Sequence, residues 1–474
     1  MIKSGVALLA LTISITISTG ATSVYAESLR DIYELALEND AQLKAEEAQY
    51  RANLETEKLG LAGLLPQING TYDYTDSDQD TQGESFDIGS SGGTIVDTLT
   101  NVDTDREGYQ LTLNQPLFDL PAWFTFQSGK QFSKQAEATF AANQQNLIVR
   151  VVEAYLLVLR GQDNLEASKA QERAFERQLE QTQQRFEVGL IAITDVYEAQ
   201  AAYDLSQVNR IVDENNVSVA LERLSVLTGR SHENLSVLKE DFDILLPEPV
   251  DRAAWVEFAL ENNFTLKASR YAEEVARQNA KANAMRHAPT ISGNYSYSDY
   301  ETDGDLTRTP STDFDGSPNQ DVENNSWQIR VDIPLFSGGA VSANRRKAAQ
   351  DFNAARENRI NLGRNTVTNA RSLHMTVVSD VSRVAARKQS IVSSRSALDA
   401  TQAGYEVGTR NVVDVLNAQN TLFSSERDYA NSRYDYIVNM VQLKEQAGLL
   451  SPEDIYQLDA AMEPAPAPTA NGTQ

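Results

Sequence analysis

Cysteine is absent from the 474 residues of this chain, and histidine occurs only three times. The lack of cysteine excludes disulfides, thiolate metal sites, a cysteine nucleophile and a lipidated N-terminal cysteine. His232, His287 and His374 are far apart in the sequence, which leaves little for a metal centre or a catalytic triad. The formal net charge of −26 argues against a nucleic-acid partner, because a polyanion is bound by a basic face.

Proline is also scarce, with 13 residues, and residues 122–246 and 335–451 contain none. Because proline interrupts helices and marks turns, these two stretches predict unusually long helices. The sequence also lacks GxSxG, HExxH and phosphate-binding P-loop motifs. Carboxylate pairs are plentiful, but on acidic helices they are typical of solvated faces. We therefore expect no enzyme activity, no cofactor and no metal site.

The first 26 residues have the pattern of a secretory signal peptide. Lys3 precedes an apolar run over residues 5–17, and Val24-Tyr25-Ala26 is a small-residue cleavage site. A membrane anchor is the alternative, but the run is short and no stop-transfer flank follows it. No other stretch reaches the roughly 18 apolar residues of a transmembrane helix. The sequence therefore predicts export from the cytoplasm, with any membrane crossing made by β-strands.

Several short segments recur at a nearly constant spacing. Residues 36–39 (ALEN) return at 259–262, an offset of 223, and residues 116–118 (PLF) return at 334–336, an offset of 218. Such spacing predicts a tandem duplication with a period of about 220 residues. The expected parts are a signal peptide, two structural repeats and a proline-rich flexible tail, at residues 1–26, 27–250, 251–458 and 459–474.

Each repeat is expected to contain a helix, a β-hairpin and a pair of long helices. The hairpins are predicted at about residues 66–118 and 289–336, and the helix pairs end at 229 and 448. Apolar and polar residues alternate in the hairpins, with aromatics near the ends, which is typical of outer-membrane barrel strands. A half-buried sheet in a soluble protein is the alternative. The apolar positions of one strand are Ile291, Gly293, Tyr295 and Tyr297.

Four strands are too few to close a barrel, and lipid tolerates only closed sheets. Several copies of the chain must therefore share one barrel. Eight, twelve or sixteen strands would need two, three or four copies, and the strand pattern does not choose among them.

The hairpin tips, over residues 76–107 and 299–325, are acidic and rich in glycine and serine. Asp303-Gly304-Asp305 and Asp313-Phe314-Asp315-Gly316 invite a calcium-binding interpretation. Neither has the spacing of a twelve-residue calcium loop that ends in Glu. Solvated extracellular loops are the favoured interpretation.

The longest helices are predicted at residues 341–408 and at about 135–189, followed by helices at 412–448 and 193–229. Residues 341–408 alone would span about 100 Å at a rise of 1.5 Å per residue. Helices of this length have too little apolar surface for a compact core, so an elongated α-barrel is favoured. Two adjacent apolar columns in the last helix suit packing against neighbours on two sides. The columns contain Val415, Leu422, Tyr429, Tyr436 and Leu443, and Leu416, Phe423, Ala430 and Ile437.

The turns between the paired helices contain Gly189 and Gly408, which suit the left-handed position that follows a helix C-terminus. Thr194-Asp195 opens the next helix in the first repeat, where a short polar side chain is expected to cap free N–H groups. Asp414 lies in the first turn of the corresponding helix in the second repeat, where a negative charge also suits the helix dipole.

Over residues 28–458 the chain resembles the TolC family of outer-membrane exit ducts. Residues 186–196 (FEVGLIAITDV) and 403–415 (AGYEVGTRNVVDV) are similar to that family's two periplasmic tips, and residues 429–436 (YANSRYDY) to its last helix. The resemblance implies an α+β membrane protein of the Gram-negative outer membrane. Each chain would contribute four strands to a trimeric, twelve-stranded β-barrel and long helices to a periplasmic coiled-coil barrel.

The resemblance also implies a function. The homotrimer would be a channel-tunnel in outer-membrane lipid that exports small molecules, proteins or both from the periplasmic side. The chain has no nucleotide site, so it would depend on an inner-membrane RND or ABC transporter, joined by a periplasmic adaptor (membrane fusion) protein. A periplasmic coiled-coil scaffold or an adhesin without a pore is the alternative, and the alternating strands argue against it.

The family's tip links, which hold the periplasmic entrance shut, correspond to Thr194 and Asp195 with Arg410 and Tyr405. The resemblance also places the contacts with the adaptor at the two repeated tip turns. These turns contain Val188, Gly189 and Leu190, and Val407, Gly408 and Thr409.

By the same resemblance, Asp414 corresponds to an acidic ring at the constriction. Asn417 stands where the family often has a second Asp, which implies a ring with three fewer carboxylates per trimer. The chain departs from the resemblance again at Ala41, where the family commonly has proline after Asp40, and this departure implies a looser start of the first helix.

Overall fold

The computed structural model describes residues 26–89, 92–309 and 317–464. Residues 1–25 of the predicted signal peptide, residues 465–474 of the predicted tail, and the segment Asp313–Gly316 lie outside these ranges. The helices are α1 (Leu29–Asn39), α2 (Ala41–Ala62), α3 (Leu120–Glu187), α4 (Ile193–Thr228), α5 (Arg252–Asn262), α6 (Phe264–Met285), α7 (Ala340–Glu406), α8 (Val412–Gln446) and α9 (Pro452–Asp459). The strands are β1 (Gln67–Gly89), β2 (Gly92–Phe118), β3 (Val237–Leu238), β4 (Thr290–Thr309), β5 (Gln320–Asp332) and β6 (Met462–Glu463).

The two halves of the chain repeat the same elements at nearly the same lengths. Helices α1 and α5 have 11 residues each, α2 and α6 have 22 each, and α3 and α7 have 68 and 67. This correspondence agrees with the duplication that the sequence predicts. Within the described ranges, none of the helices combines the length and the apolar character needed to span a membrane.

Helix α3 begins about 15 residues earlier than the sequence predicts. The Asp119 carboxylate accepts a hydrogen bond from the backbone N–H of Ala122 at 2.8 Å and so caps the helix. Pro121 lies in the first turn, where a missing N–H costs nothing. The proline therefore starts the helix instead of breaking it.

Four strands form one antiparallel sheet in the order β1-β2-β4-β5, so β2 and β4 join the two hairpins. Apolar residues of successive strands share one face of this sheet, for example Ile68, Leu113, Tyr295 and Trp327 in adjacent positions. The Tyr295 and Trp327 rings are 4.6 Å apart. The outer edges of β1 and β5 have no strand partner among the described residues.

The prediction of acidic loops at 76–107 and 299–325 is wrong for most of their length. Strand β1 continues through the acidic stretch to Gly89, and β2 already begins at Gly92. In the second hairpin, β4 continues to Thr309. Side chains support the ladder, since the amide of Asn101 donates to Asp78 at 2.7 Å and to Asp80 at 3.0 Å across the strand pair. The acidic composition therefore belongs to an extension of the sheet. No cluster suited to a metal ion occurs within the described ranges.

The main hydrophobic core lies in the middle of the molecule and contains residues of both halves. Tyr155 of α3 is fully buried there and donates through its hydroxyl to Ser236 O at 2.7 Å. Burial raises the pKa of this tyrosine above its usual range. At the α1–α2 junction, Asp40 caps α2 and pairs with Arg150 at 2.5 Å. Asp40 thus fixes the start of α2 although residue 41 is alanine and not proline.

The beginning of the predicted flexible tail is ordered. Strand β6 pairs with β3, and Met462 is buried in the main core. Lys239 reinforces this pairing, because its N–H donates to Ala461 O at 3.1 Å and its ammonium group donates to Ala460 O at 2.8 Å. The expectation of flexibility from residue 459 onward is therefore wrong for residues 459–463.

The long helices pack as two antiparallel pairs, α3 with α4 and α7 with α8, and α8 also packs against α3. The two apolar columns predicted in α8 are buried or half-buried at every position. Salt bridges join the two helices within each pair, for example Arg210 of α4 with Glu172 of α3 at 2.7 Å and Arg387 of α7 with Asp428 of α8 at 2.7 Å. Each pair ends in a tight turn, and these two turns carry the candidate site.

Candidate functional site

The first tip turn joins α3 to α4. The N–H of Gly189 donates to Phe186 O at 2.8 Å, and the N–H of Leu190 donates to Arg185 O at 2.9 Å. These two bonds satisfy carbonyl groups that the end of a helix leaves free, in the pattern of a Schellman motif. The motif needs a left-handed residue, and Gly189 has φ +77°.

The second tip turn, between α7 and α8, has the same geometry. The N–H of Gly408 donates to Tyr405 O at 3.1 Å, and the N–H of Thr409 donates to Gly404 O at 2.9 Å. Gly408 has φ +79°. The hydroxyl of Thr409 also donates to Gly404 O at 3.0 Å, so Thr409 helps to fix its own turn.

Both turns present apolar side chains to the outside. Val188, Leu190 and Val407 are 70%, 69% and 76% exposed, although apolar groups are usually covered in a folded protein. An added Cβ at Gly189 or Gly408 would meet no atom within 4 Å. The two turns are therefore hydrogen-bonded within themselves, open and apolar, which suits contact with another protein.

Tyr405 is buried at the base of the second tip, in a small cluster with residues of α3 and α8. The other buried members of this cluster are Phe175 of α3 and Val412, Val415 and Leu416 of α8. The guanidinium group of Arg185 lies 4.6 Å from the ring centre. The Tyr405 hydroxyl has no hydrogen-bond partner among the described residues.

Arg410 extends from the second tip and is 60% exposed. Its closest carboxylate within the described ranges is Asp414, one turn further along, at 3.8 Å. Asp414 also forms a capping box with Asn411, because the N–H of Asp414 donates to the Asn411 side chain at 2.8 Å and the Asp414 carboxylate accepts from the N–H of Asn411 at 3.4 Å. The position of Asp414 in the first turn of α8 agrees with the sequence analysis.

Thr194 and Asp195 lie in the first turn of α4, and the expectation that they cap this helix is wrong. The cap position is Ala192, which has no side-chain acceptor, and the N–H of Asp195 donates to Ala192 O at 3.2 Å. Thr194 is exposed and Asp195 is half-buried. Within the described part of one chain, neither side chain bonds to Arg410 or Tyr405. A link among these four residues would have to form between copies.

Asn417 lies one turn after Asp414 on α8, and its side chain is exposed. Thr421, another turn along, donates to Asn417 O at 2.8 Å and is also exposed. Asp414, Asn417 and Thr421 therefore form a polar stripe on the same face of α8, because residues three or four apart are neighbours on a helix. Such a stripe suits a surface that faces water, as the wall of a channel does.

Sequence reasoning missed Arg185 and Phe175 at the tip. Arg185 belongs to the last turn of α3 and Tyr405 to the last turn of α7, and no local pattern connects residues that far apart. Phe175 is part of an apolar periodicity that predicts burial but not its partner. The repeat relation gives only an indirect signal for the contact between Arg185 and Tyr405, because it places the two tips in equivalent positions of the two repeats.

Three comparisons with known proteins agree. The family model "Outer membrane efflux protein" matches residues 32–230 and 255–449. The outer membrane protein TolC of Vibrio cholerae is 34% identical over 97% of this chain and 99% of its own length. The alkaline protease secretion protein AprF of Pseudomonas aeruginosa is 30% identical over 91% of this chain and 86% of its own length.

The fold agrees with a solved structure as well. The outer membrane protein VceC of Vibrio cholerae superposes with a TM-score of 0.70 at 16% identity, covering 89% of this chain and 96% of that one. The predicted α+β fold, with four long strands and long paired helices in each chain, is confirmed. The chain belongs to the outer membrane efflux protein family of Gram-negative bacteria, and it acts as an outer-membrane exit channel.

Proposed function

We propose that three copies of the chain form one continuous channel-tunnel, with a shared twelve-stranded barrel and a twelve-helix periplasmic tunnel. The observation that carries this proposal is a four-stranded sheet with an apolar face and two open edges. Open edges are not tolerated in lipid. Two copies would give eight strands, and side chains fill a barrel of that size. Three copies give a lumen and agree with the family resemblance.

Helix α4 supports the assembly independently. Apolar residues at spacings of three, four and seven follow one side of this helix and are exposed in the single chain, at Leu205, Val208, Val212, Val219 and Val226. A stripe of this kind is typical of a coiled-coil seam whose partner helix is missing. A second copy of the chain would supply that helix and cover the stripe.

The cargo and the partners follow from the chain and its relatives. One relative is named for secretion of an alkaline protease and another for resistance to cobalt, zinc and cadmium, so we infer that this channel exports proteins, small solutes or both. The chain has no nucleotide-binding motif, so transport energy would come from an inner-membrane RND or ABC transporter. A periplasmic adaptor would dock on the exposed tip residues, which are Val188, Gly189, Leu190, Val407, Gly408 and Thr409.

The periplasmic end would also be the gate. Asp195 and Thr194 of one copy would bond to Arg410 and Tyr405, partly across the boundary between copies. The Tyr405 hydroxyl has no hydrogen-bond partner among the described residues, so a bond of this kind would satisfy it. Asp414 and Asn417 would face the axis and set the charge of the constriction.

The assembly is tested with the mature protein purified in detergent. Analytical ultracentrifugation should report three chains per particle, and planar-bilayer recordings should show discrete conductance steps. Gel mobility should change on heating, as it does for many barrels. A water-soluble monomer without heat-modifiable mobility or conductance would instead support the coiled-coil scaffold or adhesin.

A further inference from the structure

The two hairpins of one chain pair their strands in the same register. In the first hairpin Ile68 lies opposite Leu113, and Tyr72 lies opposite Tyr109. In the second hairpin Ile291 lies opposite Val331, and Tyr295 opposite Trp327. Adding the repeat offset of 223 to β1 and 218 to β2 converts each pair of the first hairpin into the corresponding pair of the second. Duplication has therefore preserved side-chain partners as well as strand order.

The chain also contains one seam between its repeats, where β2 pairs with β4. There Asn114 lies opposite Asn294, and Leu113 opposite Tyr295. In a closed ring of identical chains, the remaining seam joins β5 of one copy to β1 of the next. Strand β5 is the repeat equivalent of β2, and β1 is the repeat equivalent of β4. The seam between copies therefore joins the repeat equivalents of the two strands that form the seam within the chain.

We infer that β5 of one copy pairs with β1 of the next copy in the register that places Val331 opposite Tyr72 and Asp332 opposite Thr71. This inference rests on the proposed shared barrel. It follows from applying the two repeat offsets to the pairs Leu113–Tyr295 and Asn114–Asn294. A shift by one residue would turn the apolar side chains of β5 to the opposite face, and a shift by two would break the equivalence of the two seams.

The residues after β5 give independent support. Leu335 and Phe336 are 91% and 87% exposed in the single chain. Their repeat equivalents, Leu117 and Phe118, belong to β2, where Phe118 lies opposite Ile291 of β4. The inferred register places Phe336 opposite Ile68 of the next copy. The seam would therefore extend β5 beyond Asp332 and cover the side chains of Leu335 and Phe336, which are exposed in the single chain.

The chain lacks cysteine, so paired cysteines report this register without background. Directly opposite residues alternate between hydrogen-bonded and non-hydrogen-bonded pairs, and the side chains of the non-hydrogen-bonded pairs lie closer together, which brings two sulfur atoms nearer to bonding distance. We would therefore test two successive pairs, Val331→Cys with Tyr72→Cys and Asp332→Cys with Thr71→Cys. A lipid-soluble oxidant would be added to membranes, and covalent dimers and trimers would be measured on non-reducing gels.

Matched controls shift the register by two, with Val331→Cys and Tyr74→Cys, and Asp332→Cys and Asp73→Cys. At least one in-register pair should give about tenfold more covalent product than its control, because diagonal neighbours lie roughly 7–8 Å apart. Preferential linkage of a control pair, or no linkage from any pair in particles that sediment as trimers, would overturn the register. Particles that sediment as monomers would overturn the shared barrel itself.

Discussion

The guanidinium group of Arg185 lies 4.6 Å from the centre of the Tyr405 ring, and this contact joins the end of α3 to the end of α7. A cation–π contact contributes about 0.5–1 kcal/mol at an exposed site and more when it is desolvated. Arg185 is half-buried and Tyr405 is buried, so the contact is partly desolvated. It links the two helical pairs of one copy directly behind both tips.

Replacing Arg185 by Gln should make the periplasmic entrance easier to open. The substitution removes the cation from the Tyr405 ring, so each copy loses one restraint between its two helical pairs. We expect the ratio of open to closed states to rise roughly two- to fivefold per copy, which corresponds to the cation–π contribution. Planar-bilayer recordings would measure this ratio. Arg177→Gln, two turns earlier on α3, is the matched control, and an equal effect there would mean that general charge loss is responsible.

The proposed links between copies make a second prediction. Arg410→Ser with Tyr405→Phe should raise the single-channel conductance, because the closed entrance loses the bonds to Asp195 and Thr194. Tyr405→Phe keeps the ring beneath Arg185 and removes only the hydroxyl, so it separates this link from the cation–π contact. Removing one partner of a charge-assisted bond costs about 1–3 kcal/mol, and less here because Arg410 is 60% exposed.

A charge exchange provides the control for these links. Arg410→Asp and Asp195→Arg should each raise conductance, and the double variant should restore a closed entrance if the two residues meet across copies. The contact between Arg410 and Asp414 within the chain is lost both in Arg410→Asp alone and in the double variant. The comparison of these two variants therefore isolates the link to residue 195. Additive effects without restoration would show that Asp195 and Arg410 are not partners.

The sequence predicts this fold best where one physical rule dominates. Period-two alternation locates the membrane-facing parts of the strands, and the lack of proline locates the long helices. The alternation rule fails at residues 76–107, because acidic composition resembles that of a loop while register and cross-strand bonds, such as Asn101 to Asp78, maintain a strand. The proline rule fails at Pro121, where the residue starts a helix.

In the candidate site, too, some features follow from a local sequence rule and others depend on packing between distant residues. Gly189 and Gly408 could be assigned from the sequence, because a Schellman turn needs a left-handed residue and glycine adopts it without strain. The cap at Thr194 could not, since whether a helix begins at Ile193 or two residues later depends on packing. The contact between Arg185 and Tyr405 depends on how two distant helix ends meet, which no local pattern records.

The tip glycines test the docking proposal. Gly189→Trp with Gly408→Trp should lower export at least about tenfold, because a bulky side chain would cover the apolar tip surface. Any side chain also strains a left-handed residue by about 1–2 kcal/mol. Gly189→Ala with Gly408→Ala carries this strain without the bulk and should retain most export. Gly229→Ala, at a left-handed glycine away from the tips, controls for strain alone. Normal export by the double Trp variant would exclude docking at these turns.

The half-buried Asp163 predicts a pH dependence of stability. Its carboxylate accepts from the Tyr434 hydroxyl at 2.6 Å, but burial raises the pKa of Asp163 above its usual range despite this bond and the nearby Arg433. The native state therefore holds this proton more tightly than the unfolded state does. Its contribution to stability is present at low pH and is lost as pH rises from the unfolded pKa through the folded one.

Asp163→Asn keeps an oxygen acceptor for Tyr434 and removes the half-buried charge. We expect the variant to unfold at a higher temperature than the parent near neutral pH, with the difference shrinking as the pH falls through the raised pKa of the parent carboxyl and that group gains its proton. Thermal unfolding followed across this pH range would measure it. Asp399→Asn, at an exposed carboxylate of α7, should show no such trend, and a parallel trend in both variants would contradict the assignment to Asp163.

The charge of the constriction provides the last prediction. If three copies of Asp414 face the channel axis, their combined negative potential concentrates cations in the pore, and a trivalent cation added from the periplasmic side should block it. Asp414→Asn should weaken this block. It is preferable to Asp414→Ala, because the amide oxygen can still accept from the N–H of Asn411 and so keep the second bond of the capping box. Asn417→Asp adds a second ring one turn further along and should strengthen the block. Block that is equally strong in all three channels would place the effective charge elsewhere, in the acidic extension of the sheet.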